Sequence, residues 1–403
     1  MELIRGIFFY PIKFLLAFIL HYEHPKADIP QGLEQRIKIF LLHHFLNFGL
    51  GLANVLDKAG LCYEHDVLRF LVNGVPPQKT NELLINNVMF NNLTVRIYQP
   101  KVPSTGLRRG IVYCHGGVGR FGSINAYERV CRSICRNSDS VVASIEYRLA
   151  PEHPFPTQFD DCVTATIHFM RTAKDYGVDP TRVIVCGDSS GGTIAASVCQ
   201  TLVNRTDLPK VRAQILIYPF LQAVDFNLPS YQQNEDAPVL PKSRTVDFGF
   251  KYLNLDPSLI DDFLRGAHIP ESVRQKYSKW LSPDNLPNKF KTRSYKPPPI
   301  APCKEEVYAL AQPFIGTTFS PLLAEDAVVR QLPDSFILTC EYDVLRDDGL
   351  LYKKRLEDNG VRVTWCHLSD GFHGVLFAVD YGILSFKAGH KGINRIVNFI
   401  KTL

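Results

Sequence analysis

The sequence predicts an α/β fold, a mostly parallel central sheet flanked by helices, with a cap formed by the N-terminal region and an insertion, plus an apolar anchor at the N-terminus. Three observations point there. From about residue 85 onward, short β-branched runs alternate with helical stretches, the pattern of parallel strands joined by crossover helices. Between Pro219 and about Leu332 the alternation fails at Pro229, Pro238, Pro241, Pro270, Pro283, Pro287 and Pro297-Pro298-Pro299. Aromatics such as Tyr231, Phe248, Phe250, Tyr252, Phe263 and Trp280 persist through that stretch, which marks a folded insertion rather than a disordered linker. Finally, Ile7 to Leu20 is apolar except for Tyr10, Pro11 and Lys13.

Composition narrows the choice of partners. A chain of 403 residues, 45% hydrophobic and 21% charged, has material for one large core or two modest ones. Its 45 Lys plus Arg against 40 Asp plus Glu leave only +5, and no basic stripe interleaves with aromatics, so nucleic acid is not an expected partner. With 26 Phe and 17 Tyr, aromatic surface is left over for an apolar pocket. The ten cysteines are scattered, and the Cys131/Cys135 spacing has no second pair, so two small buried side chains on a helix are expected there instead of zinc.

The N-terminal run, extended by Leu3, Ile4 and Tyr22, reaches the roughly 20 residues that a membrane span needs. Lys13 opposes insertion by about 3 kcal/mol, offset by snorkelling and by the surrounding Phe and Leu. Because the run passes straight into His21, Tyr22, Glu23, His24 and Pro25 with no small-x-small site, an uncleaved anchor is expected. Charge does not set its orientation, with Arg5 on one side and Lys26, Arg36 and Lys38 on the other; the sequons at Asn92 and Asn204 favour a lumenal body. A second apolar stretch, Ile39 to Leu56, is interrupted by His43, His44, Asn47, Gly49 and Gly51 and is expected to pack on the body or lie on a membrane face. The resulting division is an anchor over 1–25, an N-terminal cap segment with the first strands over 26–106, and the main α/β domain over 107–403 with the insertion at about 220–332.

Within the body, strands are expected at Val95–Tyr98, Gly110–Cys114, Ser140–Ile145, Arg182–Cys186, Ala213–Tyr218, Ser335–Cys340 and Arg362–His367. The clearest helices are Asp160–Tyr176, Ser189–Val203, Asp348–Asn359, which ends at Gly360, and Gly392–Leu403.

Chemistry concentrates at four places. Arg182 to Cys186 is a buried-strand run followed by Gly187-Asp188-Ser189-Ser190-Gly191-Gly192 and a helix, the G-x-S-x-G arrangement in which a sharp turn exposes a nucleophilic serine beside helix N-terminal amides. Serine needs a base, and in this order of elements the acid and then a histidine follow it. His373, in the glycine-flanked loop Asp370-Gly371-Phe372-His373-Gly374, is the candidate ahead of His367 and His390. Asp343, on the loop after the preceding strand, is the candidate acid, with Glu341 as competitor and Asp347 and Asp348 read as N-terminal caps of the next helix. The glycine-rich loop His115-Gly116-Gly117-Val118-Gly119 after an early strand is the expected oxyanion hole. Its Gly116 and Gly117 amides would join that of Ser190, and His115 would orient the loop.

Together with Tyr147 to Pro156 and Tyr342 to Gly349, these motifs resemble the hormone-sensitive-lipase branch of the α/β-hydrolases, and within it the arylacetamide deacetylases, nearly end to end. The resemblance implies the α/β-hydrolase fold and a single-pass type II glycoprotein of the endoplasmic reticulum membrane. It further implies a lumenal active site and a carboxylic ester hydrolase of lipid metabolism, cleaving esters or amides of small lipophilic substrates. The chemistry would be acyl transfer from Ser189 with His373 as base, with no metal or organic cofactor. Two positions depart from the pattern: the usual HGGG ends in Val118, and the residue after the nucleophile, usually Ala, is Ser190. Cys340 resembles a disulfide cysteine of the family, but Arg120 stands where its partner is expected, so no bridge is expected. A valine in the oxyanion loop disfavours positive φ and can misaim its amide, so Val118→Gly is expected to raise kcat with little change in KM. The same valine motivates a rival reading, a catalytically silent protein that binds a lipophilic ligand.

Overall fold

The computed structural model describes residues 29–74, 81–293, 295–297 and 299–403. The anchor expected over 1–25 lies outside them. Helices of ten residues or more are α1 (Arg36–Lys58), α2 (Glu64–Asn73), α3 (Glu128–Ser138), α4 (Thr157–Thr172), α5 (Ser190–Leu202), α6 (Lys242–Leu253), α7 (Glu271–Leu281), α8 (Glu305–Ile315), α9 (Arg346–Asp358) and α10 (Lys387–Lys401). The strands are β1 (Leu83–Phe90), β2 (Leu93–Pro100), β3 (Arg108–Cys114), β4 (Ser140–Ile145), β5 (Val178–Asp188), β6 (Ala213–Ile217), β7 (Asp334–Tyr342) and β8 (Val363–Phe372).

They form one sheet in the order β1-β2-β4-β3-β5-β6-β7-β8. The hairpin β1–β2 is antiparallel, β2 is antiparallel to β4, and every later pairing is parallel. Central strands are apolar throughout because helices cover both faces: all of β4 and β6 is buried, as is β5 from Val183 to Asp188. Parallel strands bring their carboxyl ends to one edge, where such sheets present their loops. There β3, β5, β7 and β8 each deliver one expected site segment.

The sequence reading overlooked β1, an edge strand whose Asn86-Asn87 interrupts any alternation and in which only Leu83 and Phe90 are buried. In the insertion, the prolines that break periodicity begin helices instead of preventing them. Pro241 and Pro270 cap α6 and α7, and Pro229 opens a short turn, positions where a missing N–H costs nothing. α1 packs on the body through His43, Asn47, Leu50 and Ala53. Asn47 joins His43 Nε2 at 2.9 Å to Arg244 at 2.5 Å, which fixes α1 to α6. The opposite stripe of α1, Ile37, Phe40 and Leu41, faces outward.

Candidate active site

The turn after β5 is held by close backbone packing. A Cβ on Gly187 would lie 2.1 Å from the Gly191 carbonyl oxygen, and one on Gly191 would lie 2.1 Å from that of Cys114. Both must therefore be glycine. Between them Ser189 adopts φ +54° and ψ −124°, a strained conformation for an L-residue, stabilised by its N–H donating to Ile217 O at 2.9 Å.

His373 follows β8 and lies with Nε2 2.9 Å from Ser189 Oγ. Its Nδ1 is 2.8 Å from Asp343 Oδ2. Asp343 is fully buried after β7 and accepts the Leu345 N–H at Oδ1, 2.9 Å away. The competitors are engaged elsewhere. Glu341 pairs with His367 at 3.1 Å and with Arg293 and Arg346, and His390 lies exposed on α10.

Asp347 and Asp348 do not cap α9 as expected. Both are buried, and their carboxylates reach across to the chain leaving β6: Asp347 accepts the Ser230 N–H at 2.6 Å and pairs with buried Arg346 at 2.9 Å. Asp348 accepts the Leu221 N–H at 2.9 Å, and burial pushes its pKa up to about 8. These carboxylates fasten the start of the insertion to the loop that carries Asp343.

In the loop after β3, Gly117 adopts φ +113° with Phe121 O only 2.1 Å from where a Cβ would stand. The amides on either side of it are not free. Gly116 N–H donates to Asp188 Oδ1 at 2.9 Å, unlike the expected part for it in the oxyanion hole, and Val118 N–H donates to Ser190 Oγ at 2.7 Å. Gly117 and Ser190 keep amides that make no hydrogen bond among the described residues. His115 is wholly buried, with Nδ1 2.8 Å from Gly116 O and 3.0 Å from Tyr147 Oη, and desolvation lowers its pKa to about 4. It thus stays neutral behind the loop.

Sequence reasoning missed Asp188. Its carboxylate accepts from Gly116, from Tyr113 Oη at 3.1 Å and from Tyr127 Oη at 2.9 Å, tying the glycine loop to the elbow. Burial raises its pKa to about 6 against those hydrogen bonds. Its place inside the G-x-S-x-G motif was the available signal.

Two apolar cavities meet at Ser189. One lies under the insertion among Phe155, Ile194, Phe220, Phe250 and Phe319. The other runs toward α1 and α2 among Leu42, Phe45, Leu71 and Phe377, with His373 on its wall. Among the described residues the group that could gather around a metal is His65, Asp66 and Glu152, but Arg69 already holds both oxygens of Glu152, at 2.6 and 2.8 Å.

The chain matches the α/β hydrolase fold family over residues 111–265 and 298–377. It is 45% identical over 393 residues to human arylacetamide deacetylase-like 4, spanning 97% of each chain. To bovine arylacetamide deacetylase it is 38% identical over 397 residues, 96% of this chain and 97% of the relative. The chain belongs to the arylacetamide deacetylase family. Among solved structures it resembles the thermostable carboxylesterase EstE1, with a TM-score of 0.61, 28% identity and coverage of 84% of this chain and 97% of that one. As a member of this family it is an α/β hydrolase of the esterase and deacetylase type, and a silent ligand binder is not the favoured reading. The α1–α2 region, which lines the second cavity, lies outside the matched segments.

Proposed function

We propose that this arylacetamide deacetylase relative hydrolyses carboxylic esters, and amides, of lipophilic alcohols and amines through an acyl-enzyme on Ser189. The observation that carries the reading is His373, with Nε2 2.9 Å from Ser189 Oγ and Nδ1 2.8 Å from Asp343. In that geometry Nε2 takes the hydroxyl proton as Oγ attacks the carbonyl carbon, and Asp343 holds the tautomer and stabilises the imidazolium. The Gly117 and Ser190 amides face the oxyanion. The leaving group must take its proton from Nε2, which assigns the cavity walled by His373 to the alcohol or amine and the cavity under the insertion to the acyl group. Water then enters with His373 as base and frees the acid. Apolar walls on both sides favour substrates that partition into lipid.

Residues 1–25 act as a membrane anchor in this reading, and the body faces the lumen of the endoplasmic reticulum. Asn92 and Asn204 are both exposed, as glycan acceptors must be. Residues 26–106 supply a cap segment and the first strands, and the insertion at about 220–332 completes the cap over the domain of residues 107–403. Fluorophosphonate labelling tests the chemistry: a label on Ser189 that disappears in Ser189→Ala supports it, and a folded wild type that takes none would return the binding protein. Carbonate extraction and a glycosidase-induced mass shift test the topology, and an unshifted, extractable protein would refute it.

A further inference from the structure

The two positions that depart from the resembled pattern touch each other: Val118 N–H donates to Ser190 Oγ over 2.7 Å. Val118 holds φ at +56°, which a β-branched residue adopts only where its surroundings impose it. With Gly116 committed to Asp188 and Val118 to Ser190, Gly117 is the one of these three successive amides that makes no hydrogen bond among the described residues, beside that of Ser190. A hydroxyl that accepts one hydrogen bond still has a proton to give. That of Ser190 finds no acceptor among the described residues, and Ser190 is half-buried on the wall of the cavity that also contains Ser189.

We propose that Ser190 Oγ is part of the oxyanion site, accepting the Val118 amide and presenting its own proton to the charge developing on the substrate carbonyl oxygen. The inference rests on the hydrolase reading above. No bond to hydrogen breaks at Ser190: its proton stays on Oγ while Ser189 gives its own to His373. The Val118 amide polarises the hydroxyl and strengthens it as a donor. Serine here compensates for valine in the loop, because a displaced amide contributes through the hydroxyl it holds. An alanine at 190 would leave that amide one hydroxyl short of the charge, with water between.

Steady-state kinetics of the full chain on p-nitrophenyl acetate, with active molecules counted by fluorophosphonate on Ser189, test this. Ser190→Ala should lower kcat roughly tenfold to a hundredfold, the scale of one lost oxyanion donor, with KM and melting temperature close to wild type. Ser190→Thr keeps the hydroxyl and should retain most of the rate. Adding Val118→Gly to Ser190→Ala lets the loop re-aim its amide and should recover part of the loss. A Ser190→Ala enzyme as fast as wild type, or faster, overturns the proposal, since the hydroxyl would then be idle or obstructive. A loss equal in Ser190→Thr, or one expressed in KM or stability, also overturns it by reducing Ser190 to packing. Wild-type protein whose Ser189 takes no fluorophosphonate removes the hydrolase reading itself, and with it any oxyanion for Ser190 to serve.

Discussion

On the sheet edge around Ser189, position is set by polar groups taken out of water; α1 and α2, though tied to the body by Asn47–Arg244 and Arg69–Glu152, turn only apolar side chains to the cavity. Asp188, Asp343, Asp347 and Asp348 are buried and each accepts a backbone N–H, so the loops after β3, β5, β6 and β7 are pinned by bonds costly to leave unmade. α1 and α2 instead wall a cavity with Leu42, Phe45, Leu46, Leu71 and Val72, side chains that fix no single geometry. The difference separates two tasks. Reacting atoms need placement within tenths of an ångström, whereas a surface meeting varied lipophilic groups needs area and shape.

The largest effect should come from breaking the polar edge at its centre. His373→Ala and Asp343→Asn should each lower kcat on an activated ester by about 10⁴-fold, and the double variant should be about as slow as the worse single one, because the members act as a unit. Additive losses would mean that the two residues serve separate functions. Next, Asp347→Asn should destabilise the fold by about 2 kcal/mol, leaving buried Arg346 with Glu341 as its remaining carboxylate partner, while activity per labelled molecule holds. Denaturant unfolding checks it, and a stable variant with a lost rate would move Asp347 into the chemistry.

A pH test separates burial from pairing at Asp188. Its pKa is raised to about 6 in the folded state, so from about pH 4 to 6 the unfolded chain gives up a proton that the folded one keeps. Rising pH therefore costs stability through that window. Asp188→Asn escapes the penalty and keeps an oxygen for Gly116, so between pH 4.5 and 7 its stability relative to wild type should improve by about 2 kcal/mol. A constant difference would show that the carboxylate is fully compensated by its three donors.

The smallest effect concerns the apolar side. In protein lacking residues 1–25, serine at Ile37, Phe40 and Leu41 should weaken sedimentation with lipid vesicles severalfold, because these side chains are 78%, 47% and 61% exposed. Unchanged partitioning would confine membrane contact to the N-terminal run.

The contrast also explains what could be read in advance. Ser189, His373 and Asp343 were legible because each sits in a short motif on a loop after a strand, in a fixed chain order. The structure brings those three together. The supports were not legible: Tyr113 and Tyr127 meet Asp188 across separations of 75 and 61 residues, and nothing local announces such bonds. Asp347 and Asp348 were misread for the same reason, since a helix start is a sufficient local account of an aspartate. Likewise β1 lacks alternation because both faces of this edge strand between Leu83 and Phe90 are open to water, and the insertion's helices were hidden by the prolines that start them.

Ser189 and His373 stand 184 residues apart, and the strained serine turn leans on Ile217 in the neighbouring strand. Closing such a distance comes late and slowly in folding, since chain entropy must be overcome before the contact forms. A chain still emerging from the ribosome has its serine, its elbow and its glycine loop well before it has a base. Under the proposed mechanism the nascent chain is therefore inert until the last strand is laid down, and the appearance of hydrolase activity would mark the completion of the whole sheet.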